Sequence, residues 1–204
     1  MNKVGIVLAA LISTLISCNT ESITSKGCVT NYYLNGSKRS EGCYIDSLKV
    51  GTWKEYYSSG KIKATITYLK GIKNGKSISY FENGNKESEV NFKDGQFFGS
   101  VKFYYGNGFV NTEEYYDDKG FEQGKFKLLY ESGKLSQSGI LHNGKLVGKW
   151  FEYYENGRTK LISYYDSLGH KDSIWSYYLS NGMILKTEKY KTDSLIHVDS
   201  SKSK

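Results

Sequence analysis

Residues Gly148 to Tyr165 have the sequence G-K-W-F-E-Y-Y-E-N-G-R-T-K-L-I-S-Y-Y, the clearest copy of a unit that is repeated along the chain. With Gly148 as position 1, equivalent starts recur at steps of 24 or 25 residues. The seven starts are Gly27, Gly51, Gly75, Gly99, Gly124, Gly148 and Ser173. Position 10 is glycine in every copy. Agreement at a fixed period predicts a repeat architecture.

Each copy has the composition of a β-hairpin. Two short runs rich in aromatic and β-branched residues flank an Asn-Gly or Ser-Gly pair, which predicts two strands joined by a two-residue type I′ turn. With that turn, position 3 pairs with position 16 and position 7 with position 12, and positions 3, 7, 12, 16 and 18 share one mostly apolar face. Because an isolated hairpin is marginal in water, the units must stack on one another. The sequence therefore predicts an all-β fold with ladders of aromatic side chains.

The beginning of the chain has the features of a secretory signal peptide. Residues 1–17 contain one charge, Lys3, and an apolar run from Val4 to Ile16 that is too short to span a membrane. The following Leu15-Ile16-Ser17-Cys18 resembles the bacterial lipobox, in which the cysteine is lipidated and becomes the first mature residue. The alternative is an ordinary signal peptide followed by an unrelated cysteine. Cys18 is the predicted lipidation site.

The rest of the chain divides into three parts. A polar tether is expected over residues 18–26, and the seven repeats over residues 27–198. Aromatic residues become scarce after Thr192, and residues 199–204 are predicted to be a disordered tail. The predicted location is the bacterial cell envelope, with the outer membrane favoured over the inner one.

The repeated pattern G-x-W-x-x-Y-Y-x-N-G, followed eight residues later by tyrosine, resembles the bacterial variant of the MORN repeat. Gly148, Trp150, Tyr154, Gly157 and Tyr165 are among the residues that carry this resemblance. It implies an extended, twisted, single-layer antiparallel sheet of tandem hairpins of 24–25 residues. It also implies contacts with proteins or lipids rather than catalysis. Bacterial chains of this kind are often described as antitoxin-like.

The first repeat contains two cysteines, Cys28 and Cys43, at positions 2 and 17. A two-residue turn would place them opposite each other, and an exported protein meets an oxidising compartment. A three-residue turn would shift the register by one, so two unpaired thiols are the alternative to a disulfide. A bridge here would clamp the first hairpin, which has a neighbour on one side only.

The ionisable residues do not predict a catalytic or metal site. His142, His170 and His197 lie in different copies, without partners at metal-ligand spacing. The paired acids Glu113-Glu114 and Asp117-Asp118 are expected at the surface. Formal net charge is +7, and lysines are scattered rather than clustered. We expect no enzymatic activity, no cofactor and no nucleic-acid partner.

The aromatic residues of positions 3 and 7 are the predicted binding face. Its members are Trp53, Tyr57, Tyr105, Trp150, Tyr154 and Trp175. The leading functional prediction is a lipid-anchored envelope scaffold that uses this face to bind a protein or an envelope polymer. Alternatives are an immunity or antitoxin protein and carbohydrate binding through exposed rings. Weak association of copies through the end strands is also open.

Overall fold

The computed structural model describes residues 26–200, which form sixteen β-strands. In chain order they are β1 (Lys26–Tyr32), β2 (Lys38–Ile45), β3 (Leu48–Tyr56), β4 (Ile62–Leu69), β5 (Ile72–Tyr80), β6 (Lys86–Lys93), β7 (Gln96–Phe97), β8 (Gly99–Tyr104), β9 (Val110–Tyr116), β10 (Gly124–Leu129), β11 (Leu135–His142), β12 (Lys145–Tyr153), β13 (Thr159–Tyr165), β14 (Lys171–Tyr178), β15 (Ile184–Lys191) and β16 (Ser194–Ser200). Within these residues, no helix is long and apolar enough to cross a membrane.

The strands form one open antiparallel sheet in which spatial order follows chain order. Short β7 lies off this path and pairs only with β6. Seven hairpins correspond to the seven predicted copies, from β1–β2 to β14–β15. The predicted all-β fold of tandem hairpins in an open antiparallel sheet is therefore confirmed.

The loops that contain the repeated glycine differ from the predicted type I′ turn. In the sixth hairpin, Tyr154 O accepts from Gly157 N at 2.8 Å, and Tyr154 N donates to Arg158 O at 2.8 Å. Gly157 has φ +84°, but Asn156 does not have positive φ. A type I′ turn requires positive φ at both central residues. The connection is instead a three-residue loop that ends in a left-handed glycine.

A β-bulge compensates for the longer loop. Tyr153 pairs with Thr159, whereas Glu152 pairs with Leu161, so Lys160 is the extra residue. Trp150 therefore still pairs with Ser163, as predicted for positions 3 and 16. The predicted pairing of positions 7 and 12 was wrong, because position 12 meets position 6.

Type I′ geometry occurs at the opposite edge of the sheet, in the turns between hairpins. Lys70 and Gly71 have φ of +49° and +82°, and the flanking Leu69 and Ile72 pair directly. The two copies that step by 25 residues have a longer connection at this edge. Their three-residue loops are closed by Gly120 N→Asp117 O and Gly169 N→Asp166 O, each at 3.1 Å. Each of these loops accommodates the extra residue of a 25-residue copy.

The core is a row of side chains along one face, called here the covered face. It is formed mainly by positions 3 and 16. The buried apolar residues are Trp53, Ala64, Ile66, Val90, Val101, Leu141, Trp150 and Trp175. Position 12 does not belong to this core, since Ile62 is 42% exposed. The bulge beside position 12 breaks the period-2 alternation on which that prediction depended.

Large residues at position 3 lie over small residues at position 16 of the preceding hairpin. A Cβ built on Gly42 would lie 2.2 Å from the Trp53 ring, and one built on Gly139 would lie 2.2 Å from the Trp150 ring. The relation is reversed where Ser77 follows Ile66. The preceding strand therefore makes room for Trp53 and Trp150 by lacking a side chain, and the small residue Ser163 has the equivalent position before Trp175.

Both ends of the repeat region differ from the expected boundaries. Strand β1 begins at Lys26, inside the predicted tether. Strand β16 includes Asp199 and Ser200, which were predicted to be disordered, because they pair with Thr187 and Lys186 of β15. Residues 1–25 and 201–204, including Cys18, lie outside the described part of the chain.

Candidate interaction surfaces

The edge that carries the three-residue loops, called here the loop edge, is tied together by tyrosine hydroxyl groups. At position 7, each tyrosine hydroxyl donates to the position 6 carbonyl of the next hairpin. The five bonds are Tyr33→Tyr56, Tyr57→Tyr80, Tyr105→Leu129, Tyr130→Tyr153 and Tyr154→Tyr178, at 2.6–2.8 Å. The third copy has Phe81 at this position and lacks the hydroxyl. This role accounts for one of the repeated tyrosines.

Asparagine at position 9 links the loops a second time. Asn156 Oδ1 accepts from Arg158 N at 3.0 Å within its own loop. Its Nδ2 donates to Ser180 O of the next loop at 2.9 Å. Asn35, Asn83 and Asn107 make the same pair of bonds. Asn-Gly therefore serves loop closure and loop-to-loop contact, not a type I′ turn.

The predicted aromatic binding face is not presented as a surface. The exposed fractions of Trp53, Trp150 and Trp175 are 2%, 8% and 5%. Trp53 lies between the rings of Tyr44 and Tyr68, at centroid distances of 4.9 and 6.5 Å. The hydroxyls of the three predicted tyrosines, Tyr57, Tyr105 and Tyr154, are the loop-edge donors described above. Rings stacked in the core argue against a carbohydrate site built from the predicted aromatics.

The other face of the sheet is covered with ion pairs. Glu89 lies 2.5 Å from Lys76 and 2.7 Å from Lys86, and hydrogen bonds from these two ammonium groups lower its pKa to about 2. Glu41 and Glu113, at the same repeat position, are also each paired with two lysines. Because these groups are partly exposed to solvent, each pair contributes little to stability. Most lysines of this face are thus already neutralised by neighbours.

The edge that carries the turns between hairpins, called here the turn edge, exposes apolar side chains. Its members are Leu48, Leu69, Ile72, Phe98 and Phe121, with exposed fractions of 47%, 56%, 52%, 38% and 49%. This edge is ordered, because Gly71 N donates to Lys49 O and Gly95 N donates to Lys73 O, at 2.8 and 2.9 Å. Sequence analysis missed this strip, although the apolar residues beside Gly71 and Gly95 are visible in the printed chain.

Cys28 and Cys43 form a disulfide in the structure, with Cα atoms 3.9 Å apart. They face each other in the β1–β2 register. The three-residue loop does not separate them, because the bulge between Asn31 and Tyr32 restores the register. The bridge joins the first two strands of the sheet.

The covered face contains an acidic pair between the fourth and fifth hairpins. Tyr116 donates to Glu114 Oε2 at 2.8 Å. Glu122 is bridged to Tyr116 through the backbone, and its Oε1 is buried without a hydrogen-bond partner among the described residues. Burial, reinforced by the charge of Glu114, raises the pKa of Glu122 to about 7. This buried carboxyl group destabilises the core.

The histidines and paired acids lie in separate parts of the sheet. His170 Nδ1 lies 3.0 Å from Asp166 in one turn, whereas His197 lies in β16. Asp117 closes a loop by accepting from Lys119 N and Phe121 N, both at 2.9 Å. Within residues 26–200, no group of three or more His, Cys, Asp and Glu residues could hold a metal ion.

Four segments of the chain match the pattern of the MORN repeat variant: residues 26–46, 49–70, 73–94 and 146–167. They contain the first three hairpins and the sixth. Among solved structures, one chain of "Crystal Structure of TcdB2-TccC3-Cdc42" is similar at 10% identity and a TM-score of 0.18. The match covers 82% of this chain and 14% of that one, and carries no argument at this score. No curated protein matches the chain.

Proposed function

We propose that this protein is a non-catalytic binding protein of the bacterial envelope, anchored through lipid on Cys18, that holds a protein partner along its turn edge. MORN repeats generally bind proteins or membranes. The observation that carries the choice of surface is the exposed apolar strip of the turn edge. Exposed apolar strips of this kind mark interaction sites more often than scattered single residues do.

The turn edge is conformationally restricted, which supports its choice as the binding surface. A Cβ built on Gly71 would lie 3.3 Å from Leu48 Cδ2, and one built on Gly95 would lie 3.3 Å from Ile72 Cγ2. Leu48 and Ile72 therefore each lie over the next turn, which restricts their rotamers before any partner binds. Binding to a pre-ordered surface costs less conformational entropy. Exposed Lys70 and Lys93 beside the strip favour a partner with an acidic rim.

The support for the lipid anchor comes from the amino-acid sequence. Leu15-Ile16-Ser17-Cys18 follows a short apolar run and lies just before the first strand. Stable membrane attachment needs more than one acyl chain, which lipoprotein modification supplies. A short polar tether would keep the hairpins near the membrane surface.

Fractionation of native cells tests the anchor. The wild-type protein should sediment with membranes, and Cys18→Ala should move it to the soluble fraction or leave it as an unprocessed precursor. Ser17→Ala is the matched control, because it keeps a small residue before the cysteine and should stay in membranes. Release of both variants, or a processed Cys18→Ala protein that stays in membranes, contradicts the anchor.

Photocrosslinking tests the turn edge. A photoreactive residue at Ile72 should give one dominant adduct in native cells, and Leu69→Asp should abolish it. A photoreactive residue at Ile140, which is 49% exposed in β11, is the control and should not give that adduct. Equal adduct yields at Ile72 and Ile140 would contradict a specific surface on the turn edge.

The immunity or antitoxin alternative stays a prediction from the sequence resemblance. It requires a toxin as the partner. A deletion strain that becomes sensitive to a toxin encoded next to this gene would support it, whereas an unchanged survival would count against it.

A further inference from the structure

A second candidate site lies between the first two hairpins. A cavity of about 360 Å³ is lined there by Arg39, Lys49 and Lys63, together with Ser40, Glu55 and Tyr33. Its size falls within the range of small-molecule sites in proteins. Neither the binding face predicted from sequence nor the turn edge includes this cavity.

Two β-bulges build the cationic wall of this cavity. Arg39 has no partner in the register of β1 and β2, because Asn31 pairs with Ser40 and Tyr32 with Lys38. Lys63 is the equivalent extra residue of the second hairpin, between Ala64 and Ile62. The bulge position holds Glu87, Asn111, Ser136, Lys160 and Leu185 in the other copies. Adjacent cations at this position occur only in the first two hairpins.

The floor between these cations contains one carboxylate, that of Glu55. Ser40 pairs with Glu55, which pairs with Ala64, so small side chains flank one carboxylate across three strands. In the fourth and fifth hairpins the same row contains Phe103 and Leu128. The small residues leave the open volume that the bulky ones fill elsewhere.

The cations of this cavity lack carboxylate partners. Among residues 26–200, Arg39, Lys49 and Lys63 take part in no salt bridge. Lys49 Nζ is held 4.3 Å from the centroid of the Trp53 ring. With Glu55 counted, the lining has a formal charge of +2. Most lysines on the other face of the sheet, in contrast, are paired with glutamates.

We propose that this cavity binds a phosphate monoester carried on a polyhydroxyl group, as in a sugar phosphate. The guanidinium of Arg39 can hold two phosphate oxygens at once, and the two ammonium groups balance a dianion. An inorganic anion alone would be repelled by the carboxylate of Glu55. Hydroxyl groups of a sugar would instead donate to Glu55 and to Ser40. The ligand class follows from this combination of cations with one acceptor.

Calorimetric titration of the purified protein tests the proposal, with glucose 6-phosphate, inorganic phosphate and glucose as separate ligands. Glucose 6-phosphate should bind at least tenfold more tightly than either of the others. Arg39→Gln and Lys63→Gln should each weaken it about tenfold. Lys125→Gln is the matched control, because it removes the same charge from an exposed lysine of the fifth hairpin, and it should change the affinity less than twofold.

Four outcomes would overturn the proposal. The first is saturable binding of none of the three ligands. The second is an equal loss in Arg39→Gln and Lys125→Gln, which would indicate general charge attraction. The third is Arg39-dependent binding to phosphatidylglycerol vesicles without binding of glucose 6-phosphate, which would assign the cavity to a lipid phosphodiester. Thermal unfolding of each variant shows whether a loss reflects unfolding, and a folded Arg39→Gln that binds normally also contradicts the site.

Discussion

The hydroxyl of Tyr57 donates a hydrogen bond to the carbonyl oxygen of Tyr80 at 2.6 Å, joining the loop of one hairpin to the strand of the next. The same relation recurs wherever a described hairpin has tyrosine at position 7 and a hairpin after it. It is absent at Phe81, whose equivalent partner would be the carbonyl of Tyr104. Neighbouring hairpins are therefore held together by more than strand pairing.

Removing and adding a hydroxyl group at position 7 should change the stability of the protein in opposite directions. Tyr57→Phe should lower the free energy of unfolding by about 0.5–1.5 kcal/mol, and Phe81→Tyr should raise it by a similar amount if the new hydroxyl reaches Tyr104 O. Tyr32→Phe is the control, because Tyr32 is 58% exposed, and should have little effect. Chemical denaturation measures all three. A loss of stability in Phe81→Tyr would show that the third loop cannot accept the bond.

Gly42→Ala should destabilise the protein, because the new Cβ would overlap the Trp53 ring at 2.2 Å. Overpacking of this kind costs about 1–3 kcal/mol. Gly27→Ala is the matched control, since no atom lies within 4 Å of its Cβ. The double variant Gly42→Val with Trp53→Val should recover part of the loss, because the buried residues Val90 and Val101 have the same two repeat positions in the third and fourth hairpins. Equal effects of the two alanine variants would contradict the size relation between positions 3 and 16.

Glu122 should make the protein less stable as the pH rises. Its folded-state pKa of about 7 lies above the ordinary value of 4.5. The folded state thus holds this proton more tightly than the unfolded state, and the associated stability is lost between pH 4.5 and pH values above 7. Glu122→Gln should remove this dependence and add on the order of 1 kcal/mol at pH 8. Thermal unfolding at pH 5 and pH 8 measures it, with exposed Glu155→Gln as the control. A constant difference between Glu122→Gln and wild type at both pH values would count against it.

Reduction of the Cys28–Cys43 bridge should loosen the first hairpin without unfolding the rest. The bridge closes a loop with a sequence separation of 15, which corresponds to about 3 kcal/mol in the chain-entropy account. Hydrogen exchange of the β1 amides should accelerate in a Cys28→Ser, Cys43→Ser double variant, whereas exchange in β12 should not change. Unchanged protection of β1 would show that strand pairing alone holds this end.

The repeat boundaries and the sheet could be predicted because a glycine recurs at position 10 and aromatic residues recur around it. The turn type could not be predicted, because Asn-Gly suits two connections. It can supply both residues of a type I′ turn, or the last two residues of a three-residue loop with only glycine at positive φ. Asn156-Gly157 uses the second and Asn143-Gly144 the first. Because a bulge at position 13 restores the register, Trp150 pairs with Ser163 despite the longer loop.

The aromatic residues were assigned to a binding face because composition does not show which rings are covered. Trp53 is covered because Gly42 precedes it at the facing position, and this size relation is visible in the sequence once the cross-hairpin register is known. The Arg39 and Lys63 cavity depends on two adjacent bulges. Strict alternation of side chains between the two faces of the sheet would not place Arg39 and Lys63 at this cavity. The site could therefore be identified only from the structure.

Mass spectrometry of the protein extracted from native membranes without reductant determines whether this is a lipid-anchored envelope protein. We expect that residues 1–17 are absent, that Cys18 is acylated, and that the peptides containing Cys28 and Cys43 are linked. A protein that retains Met1 and has an unmodified Cys18 and free thiols would contradict an envelope location and favour a partner inside the cell.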